Sequence, residues 1–123
     1  MFDAHSAVPP ATLNQLAAAI KAYDLLFIEE PGIPGNIEIF KRLKAQISIP
    51  IATGERDRTI WGFIDYLHER CIDVLQPDCC HTGGICQIKK IATLAEAYYV
   101  PLAPRRFWGS LPACTWSRRS HCY

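Results

Sequence analysis

Residues 25–31 read Leu-Leu-Phe-Ile-Glu-Glu-Pro, an apolar run that ends in two carboxylates and a proline. A short run of this kind is typical of a strand that is buried on both faces of a parallel sheet. Apolar runs that end in an acid recur about every 25 residues, at Asp3, Glu29, Glu55 and Asp78. This interval fits one strand, one loop and one amphipathic helix, so the pattern predicts successive parallel strands with a carboxylate at each C-terminal end.

Carboxylates at the C-terminal ends of neighbouring parallel strands meet on one rim of the fold. In a (β/α) barrel that rim is where the chemistry takes place. Several carboxylates in a half-dry pocket cannot all stay ionised unless a cation compensates their charge. The acids that close the apolar runs therefore predict a divalent metal ion.

The segments between the predicted strands have helical periodicity. Apolar residues recur there at i, i+3, i+4 and i+7, the spacing of a helix that buries one face. Asn36 can cap the second helix, and Pro50 ends it before the next strand. The predicted inward faces are Leu13, Leu16, Ala17 and Ile20; Phe40, Leu43 and Ile47; Ile60, Phe63, Ile64 and Leu67; and Ile88, Ile91, Ala92 and Ala95. Strands are expected at residues 25–28, 51–53, 72–76 and 99–103, besides the one that contains Asp3.

This alternation predicts an α/β fold, a partial (β/α) barrel of the TIM type wound in one direction by right-handed crossovers. The 123 residues are about half of the ~250 that a closed eight-fold barrel needs. A doubly wound open sheet is the alternative, and it typically carries a glycine-rich phosphate loop after an early strand. The one glycine pair, Gly83-Gly84, follows a late strand, so the barrel is favoured.

Composition limits the class of partner. Thirteen Lys and Arg against 12 Asp and Glu give a net charge of +1, which argues against nucleic acid or a membrane surface as the main partner. No apolar run approaches the ~20 residues that span a bilayer, and no signal peptide opens the chain, so a cytoplasmic protein is expected. The six cysteines lack the spacing of a zinc site, and reduced thiols are expected.

The C-terminal residues 105–123 differ from the rest. They contain four Arg, two Trp and no acidic residue, and they have neither helical nor strand periodicity. We therefore expect a domain at residues 1–104 and an aberrant, unstructured tail at residues 105–123; binding of single-stranded nucleic acid by the tail is the alternative. A change of reading frame near Arg105 would explain the loss of acids and of periodicity together, and a natural variant ending is the other explanation.

Five ordered motifs carry a family resemblance: Asp3-Ala4-His5; Phe27-Ile28-Glu29-Glu30-Pro31; Ala52-Thr53-Gly54-Glu55-Arg56; Gln76-Pro77-Asp78 with Gly83-Gly84-Ile85; and Leu102-Ala103-Pro104. Together they resemble the barrel domain of the mandelate racemase and muconate lactonizing enzymes, a branch of the enolase superfamily. Within it the chain looks most similar to acid-sugar dehydratases of the galactonate dehydratase type. On this resemblance the chain is a truncated copy that corresponds to about strands 3 to 7 of the family barrel, without the capping domain.

The resemblance implies a role for each matching residue. Asp3, Glu29 and Glu55 match the ligands of Mg²⁺, a hard cation that prefers carboxylate oxygens. The metal would bind the substrate carboxylate and stabilise the enediolate that forms when the α-proton leaves. His5 matches the general acid that protonates the departing β-hydroxyl. Because i and i+2 share a face of a strand, His5 and Asp3 are expected to point into the same site.

The chain departs from the family at the base. Asp78 matches the carboxylate that orients the base histidine of the next strand, but Arg105 stands where that histidine is expected. An arginine cannot accept a proton at physiological pH, so the dyad is broken and Asp78 is expected to face a fixed cation instead. We therefore expect the chain as it stands to be inactive.

Three functions stay open at this point. The first is part of a Mg²⁺-dependent dehydratase that acts on a small-molecule sugar acid and is a homo-oligomer in its full-length form. The second is a non-catalytic remnant or interaction fragment with the same piece of barrel. The third is a phosphate-binding barrel that uses Gly83-Gly84, although tight packing at a helix start explains this pair as well.

Overall fold

The computed structural model describes residues 1–105 of the 123-residue chain. In this range short parallel strands alternate with α-helices, and a 3₁₀ turn, Lys21–Tyr23, follows the first helix. The strands are β1 (Phe2–Asp3), β2 (Ile28–Glu29), β3 (Ile51–Thr53) and β4 (Val74–Leu75). The helices are α1 (Pro10–Ile20), α2 (Ile37–Gln46), α3 (Trp61–His68) and α4 (Ile85–Ala97).

The strands form one parallel sheet in the order β1-β2-β3-β4, the order of the chain. Asp3 pairs with Glu29 in the first ladder, so these two acids occupy equivalent positions on neighbouring strands. Parallel bridges continue the sheet past β4, where Leu75 pairs with Leu102 and Asp78 with Arg105. A sheet that adds one strand per βα unit in chain order is part of a (β/α) barrel, as predicted.

The helix starts follow the local sequence. Pro10 occupies the first turn of α1, where its missing N–H costs no intrahelical hydrogen bond. Asn36 caps α2 as predicted, because its Oδ1 accepts a hydrogen bond from the backbone N–H of Ile39 at 3.3 Å. Helix α2 thus begins where its capping residue predicts.

The core lies between the helices and the sheet. Phe40 of α2 and Tyr66 of α3 meet edge to face, with ring centroids 5.1 Å apart, which joins the two helices over β3. Each predicted helical face supplies buried side chains: Leu13 and Ala17; Phe40, Leu43 and Ile47; Phe63 and Leu67; and Ile88, Ile91 and Ala95. The 3.6-residue period therefore located the core faces.

The strands differ from the prediction in extent. The expected strand at residues 25–28 is confined to its last residue, because β2 is Ile28–Glu29, and Leu26 is 78% exposed instead of buried. The expected strand at residues 99–103 is reduced to the bridge at Leu102, and Tyr99 has a positive φ of 62° that no strand adopts. Among the helices of residues 1–105, none is long and apolar enough to cross a bilayer.

Candidate metal centre

Three acids lie side by side at the C-terminal rim of the sheet. Asp3 and Glu29 are the last residues of β1 and β2, and Glu55 follows the end of β3 by two residues. The Glu29 side chain is fully buried, whereas those of Asp3 and Glu55 are 26% and 21% exposed. The parallel register of neighbouring strands brings these carboxylates to one place, as the spacing predicts.

The three carboxylates converge on a single nitrogen atom, Nη1 of Arg105. This atom lies 2.7 Å from Glu55 Oε2 and 4.0 Å from Asp3 Oδ2. It also contacts Glu29 Oε1, so it pairs with all three acids. The oxygens therefore point to a common position, and in this structure a guanidinium group occupies it.

Glu29 is the acid that most needs a cation. Neither of its carboxylate oxygens accepts a hydrogen bond from any residue in the described range, although both are buried. A buried carboxylate without donors is costly unless a positive charge lies against it. The Arg105 guanidinium provides the positive charge beside Glu29. Within residues 1–105, no group of three or more His, Cys, Asp or Glu side chains is arranged so that it could hold a metal ion.

The electrostatics of the rim are those of crowded negative charge. Burial raises the pKa of Glu55, and the carboxylates of Glu30 and Asp3 act in the same direction. His5 and Arg56 oppose this shift of the pKa through their positive charge. The rim thus favours any cation that can reach it.

His5 reaches Asp3 by a different route from the one expected. Strand β1 ends at Asp3, and His5 has a left-handed φ of 47°, so the alternation of side chains along a strand does not apply to it. Instead the chain turns, His5 N–H donates to Asp3 Oδ1 at 3.0 Å, and His5 Nδ1 lies 2.7 Å from Asp3 Oδ2. The imidazole is held beside the predicted ligand, and the side chain is 67% exposed.

Asp78 is buried and bound to its own turn. Its Oδ1 accepts hydrogen bonds from the backbone N–H groups of Cys80 at 2.7 Å and His81 at 3.0 Å. The expectation that Asp78 faces the cation of Arg105 is not met, since the acids that pair with this guanidinium among residues 1–105 are Asp3, Glu29 and Glu55. The two residues are neighbours through their backbones, with Arg105 N–H donating to Pro77 O at 3.0 Å.

A second buried acid, Glu30, was not singled out from the sequence. Its Oε1 accepts from the Thr53 hydroxyl at 2.7 Å and from Gly54 N–H at 3.3 Å, and its Oε2 pairs with Arg56. Glu29 and Glu30 are thus both fully buried. The signal for it was Arg56, which directly follows a predicted ligand.

The turn before α4 does not present an open phosphate cradle at Gly84. The Gly84 N–H donates to Cys79 O at 2.8 Å, and Gly83 and Gly84 have φ values of 96° and 95°, which suit glycine. In the same turn, His81 Nδ1 lies 2.7 Å from the backbone oxygen of Glu55. This contact ties the turn to the loop that carries a predicted ligand.

The family model described as enolase C-terminal domain-like matches residues 1–118 of the chain. The chain belongs to this family. The match extends beyond Pro104, where the quoted motifs end, into the segment for which no resemblance was expected. Arg105, the first residue of the expected unstructured tail, forms a parallel bridge with Asp78, and residues 106–123 lie outside the described part of the structure.

Curated relatives are dehydratases. The D-galactonate dehydratases of Ralstonia nicotianae and Cronobacter sakazakii are each 42% identical over 115 residues, which make up 92% of this chain and 30% of each relative. The chain thus spans less than a third of the length of the curated relatives it matches.

Solved structures of a cycloisomerase and a dehydratase also superpose on the chain. The 3,6-anhydro-D-galactonate cycloisomerase of Zobellia galactanivorans superposes with a TM-score of 0.83 at 38% identity, over 89% of this chain and 31% of that one. The L-talarate dehydratase of a Polaromonas species, solved in complex with Mg and L-glucarate, superposes with a TM-score of 0.78 at 34% identity. That superposition covers 84% of this chain and 29% of the other.

Proposed function

We propose that the chain is part of a Mg²⁺-dependent dehydratase of sugar acids, and that Asp3, Glu29 and Glu55 are its metal ligands. The observation that carries this proposal is the convergence of the three carboxylates on one atom, Nη1 of Arg105. The names of the relatives, which are dehydratases of galactonate and talarate, support a sugar acid as the substrate class.

Two features of the residues suit Mg²⁺, although the three carboxylates do not form a metal-holding cluster while the Arg105 guanidinium lies among them. Their donor atoms are hard carboxylate oxygens, which this ion prefers, and the buried oxygens of Glu29 lack hydrogen-bond donors within residues 1–105. When bound, the ion supplies positive charge that offsets the negative charge left on the substrate as its α-proton departs.

The protein residues have separate roles in this proposal. His5, hydrogen-bonded to Asp3 and largely exposed, is the acid that donates a proton to the leaving hydroxyl. Asp78 lies in the turn before α4 and pairs through its backbone with the position where a base is needed. That position holds Arg105, whose guanidinium keeps its proton, so no side chain there can remove the α-proton.

The chain as it stands is therefore expected to have no dehydratase activity. Residues 1–104 form the domain of this proposal and residues 105–123 the tail, whose first residue, Arg105, pairs with Asp78 at the edge of the sheet. The second candidate is a non-catalytic remnant of the same barrel. It is supported by the position of the Arg105 guanidinium, a fixed cation where the metal would bind. Both candidates keep the three carboxylates at the rim.

The test is a chimera in which residues 1–105 of this chain replace the matching segment of the Ralstonia nicotianae D-galactonate dehydratase. Two versions are compared, one with Arg105 and one with Arg105→His, and D-galactonate is assayed with and without Mg²⁺. We expect no turnover with Arg105 and Mg²⁺-dependent turnover with Arg105→His. An Arg58→His chimera, altered at an exposed arginine in the same loop as Glu55, is the matched control and should stay inactive.

Two results would contradict the proposal. A folded Arg105→His chimera that dehydrates no sugar acid would favour the non-catalytic remnant. Turnover that survives Glu29→Gln in the active chimera would show that Glu29 is not a metal ligand.

A further inference from the structure

We propose that Arg105 is a built-in substitute for the divalent cation, so that its guanidinium and a metal ion compete for the same three carboxylates. This inference rests on the metal centre proposed above. In addition, the Arg105 side chain, which comes from the strand position beyond β4, sets the affinity of the three carboxylates for metal.

The geometry of the contacts carries the argument. A single nitrogen of Arg105 pairs with Asp3, Glu29 and Glu55, whose backbones belong to three different βα units. Ordinary surface ion pairs join one cation to one or two acids, as Lys41 does with Glu38 and Glu69 here. An atom in contact with Glu29 and 2.7 Å from Glu55 leaves no room for an ion bound to the same oxygens.

Arg105 is held in position by its backbone. Its N–H donates to Pro77 O, and it forms a parallel bridge with Asp78, so the residue continues the sheet one strand beyond β4. From there the side chain extends across the rim, and it is 33% exposed. A cation tethered in this way acts at a high effective concentration, which a dissolved ion must overcome to displace it.

Charge balance points to the same role. Within residues 1–105, Arg105 is the only lysine or arginine that pairs with any of the three acids, because Arg56 pairs with Glu30. Without the guanidinium, no lysine or arginine of residues 1–105 would lie against the buried Glu29 carboxylate. The contact between Arg105 and the three carboxylates thus stabilises the rim in the absence of metal. The same contact lowers the affinity of the rim for a metal ion.

The experiment measures Mn²⁺ binding to the full 123-residue chain. Free Mn²⁺ is counted by electron paramagnetic resonance as the ion is added to the wild type, to Arg105→Ala and to Arg105→Gln. Arg105→Gln removes the positive charge and keeps a larger polar side chain than alanine, so it is the second variant if alanine disturbs the fold. The matched control is Arg58→Ala, since Arg58 is exposed and forms no ion pair in the described range. Arg105→Ala with Glu29→Gln tests whether the ion uses the proposed ligands.

We expect Arg105→Ala and Arg105→Gln to bind Mn²⁺ at least about tenfold more tightly than the wild type, and Arg58→Ala to match the wild type. Adding Glu29→Gln should remove the gain. The melting temperature of Arg105→Ala should fall in the presence of EDTA and recover with Mg²⁺, whereas that of the wild type should change little. If Arg105→Ala is unfolded in EDTA, refolding on addition of Mg²⁺ supports the inference.

Equal Mn²⁺ affinity in the wild type and both Arg105 variants would overturn the inference and leave the proposed metal centre standing. No Mn²⁺ binding by any folded variant would overturn the metal centre as well. A gain in affinity that survives Glu29→Gln would also contradict the inference, because the ion would then be bound elsewhere.

Discussion

Glu29 combines full burial with a carboxylate that accepts no hydrogen bond in residues 1–105. Transfer of a charged carboxylate from water to a protein interior costs several kcal/mol even after relaxation, so such a residue is stable only beside a positive charge. The Arg105 guanidinium supplies that charge in this structure. The fold of residues 1–105 thus places a cation beside the buried Glu29 carboxylate.

The buried carboxylate of Glu30, unlike that of Glu29, is stabilised by nearby hydrogen-bond donors. Thr53, Gly54 and Arg56 all donate to its carboxylate, and the Ser6 hydroxyl contacts it at 3.4 Å. This network connects the loops after β1, β2 and β3. It lies beside the three rim carboxylates of Asp3, Glu29 and Glu55.

The contribution of the Arg56–Glu30 ion pair to stability can be tested by removing Arg56. We expect Arg56→Ala to lower the free energy of unfolding by about 2 kcal/mol, less than a fully buried pair would lose because Arg56 is 42% exposed. Urea unfolding of the full chain measures the change. In a Glu30→Gln background the same substitution should cost less, since no buried charge is left unpaired. A loss no larger than that of Arg58→Ala would show that the pair does not stabilise the fold.

The sequence predicted that Asp3, Glu29 and Glu55 lie together, because each follows an apolar run and these runs recur at a nearly constant interval. It did not predict the partner of Arg105. Sequence spacing placed this residue next to Asp78, and their backbones do pair, but the direction of a long side chain depends on where negative charge is concentrated in three dimensions. Neither periodicity nor spacing carries that information.

Among the elements, α2 has the clearest start signal. Asn36 Oδ1 accepts a hydrogen bond from Ile39 N–H, Glu38 lies in the first turn and Lys44 in the last. Each of these charges is at the helix end that its sign favours. This helix also carries Phe40, which packs against Tyr66 of α3.

The cap is testable with one substitution. Asn36→Ala should destabilise the chain by about 1 kcal/mol, because the N–H group of Ile39 loses its acceptor. Asn36→Ser keeps an acceptor at the same place and should cost less. The midpoint of urea unfolding measures both. Equal loss in the two variants would indicate that the side-chain cap contributes nothing.

Helices were predicted better than strands for a physical reason. The helices here have 8 to 13 residues, over which an apolar face repeats, whereas each strand has two or three, too few for a period to be measured. The residues before β2 are apolar, yet Leu26 is 78% exposed, so the apolar run alone overstates the strand. Only pairing with a neighbour defines where such short strands begin.

At the scale of the whole molecule, the described sheet is open. Strand β1 pairs with β2 on one side, and its other edge has no strand partner within residues 1–105. Several large apolar side chains are exposed in the same range, including Leu26, Trp61 and Tyr99 at 78%, 75% and 98%. Open sheet edges and exposed apolar side chains are a recognised cause of association.

We therefore predict that the isolated chain self-associates. Sedimentation velocity over a range of concentrations should show a weight-average mass that rises with concentration, well above the 13.8 kDa of one chain. A chimera in which a dehydratase relative supplies the neighbouring strands should not show this rise. A single sharp monomer boundary together with cooperative unfolding would contradict the prediction.

A crystal structure of Arg105→Ala grown with Mn²⁺, with anomalous scattering used to locate the ion, would show directly whether the three acids bind one cation. We expect one anomalous peak, bound by oxygens of Asp3, Glu29 and Glu55 together. A peak at another place, or carboxylates that bind separate ions, would contradict the claim that these three acids form one cation site.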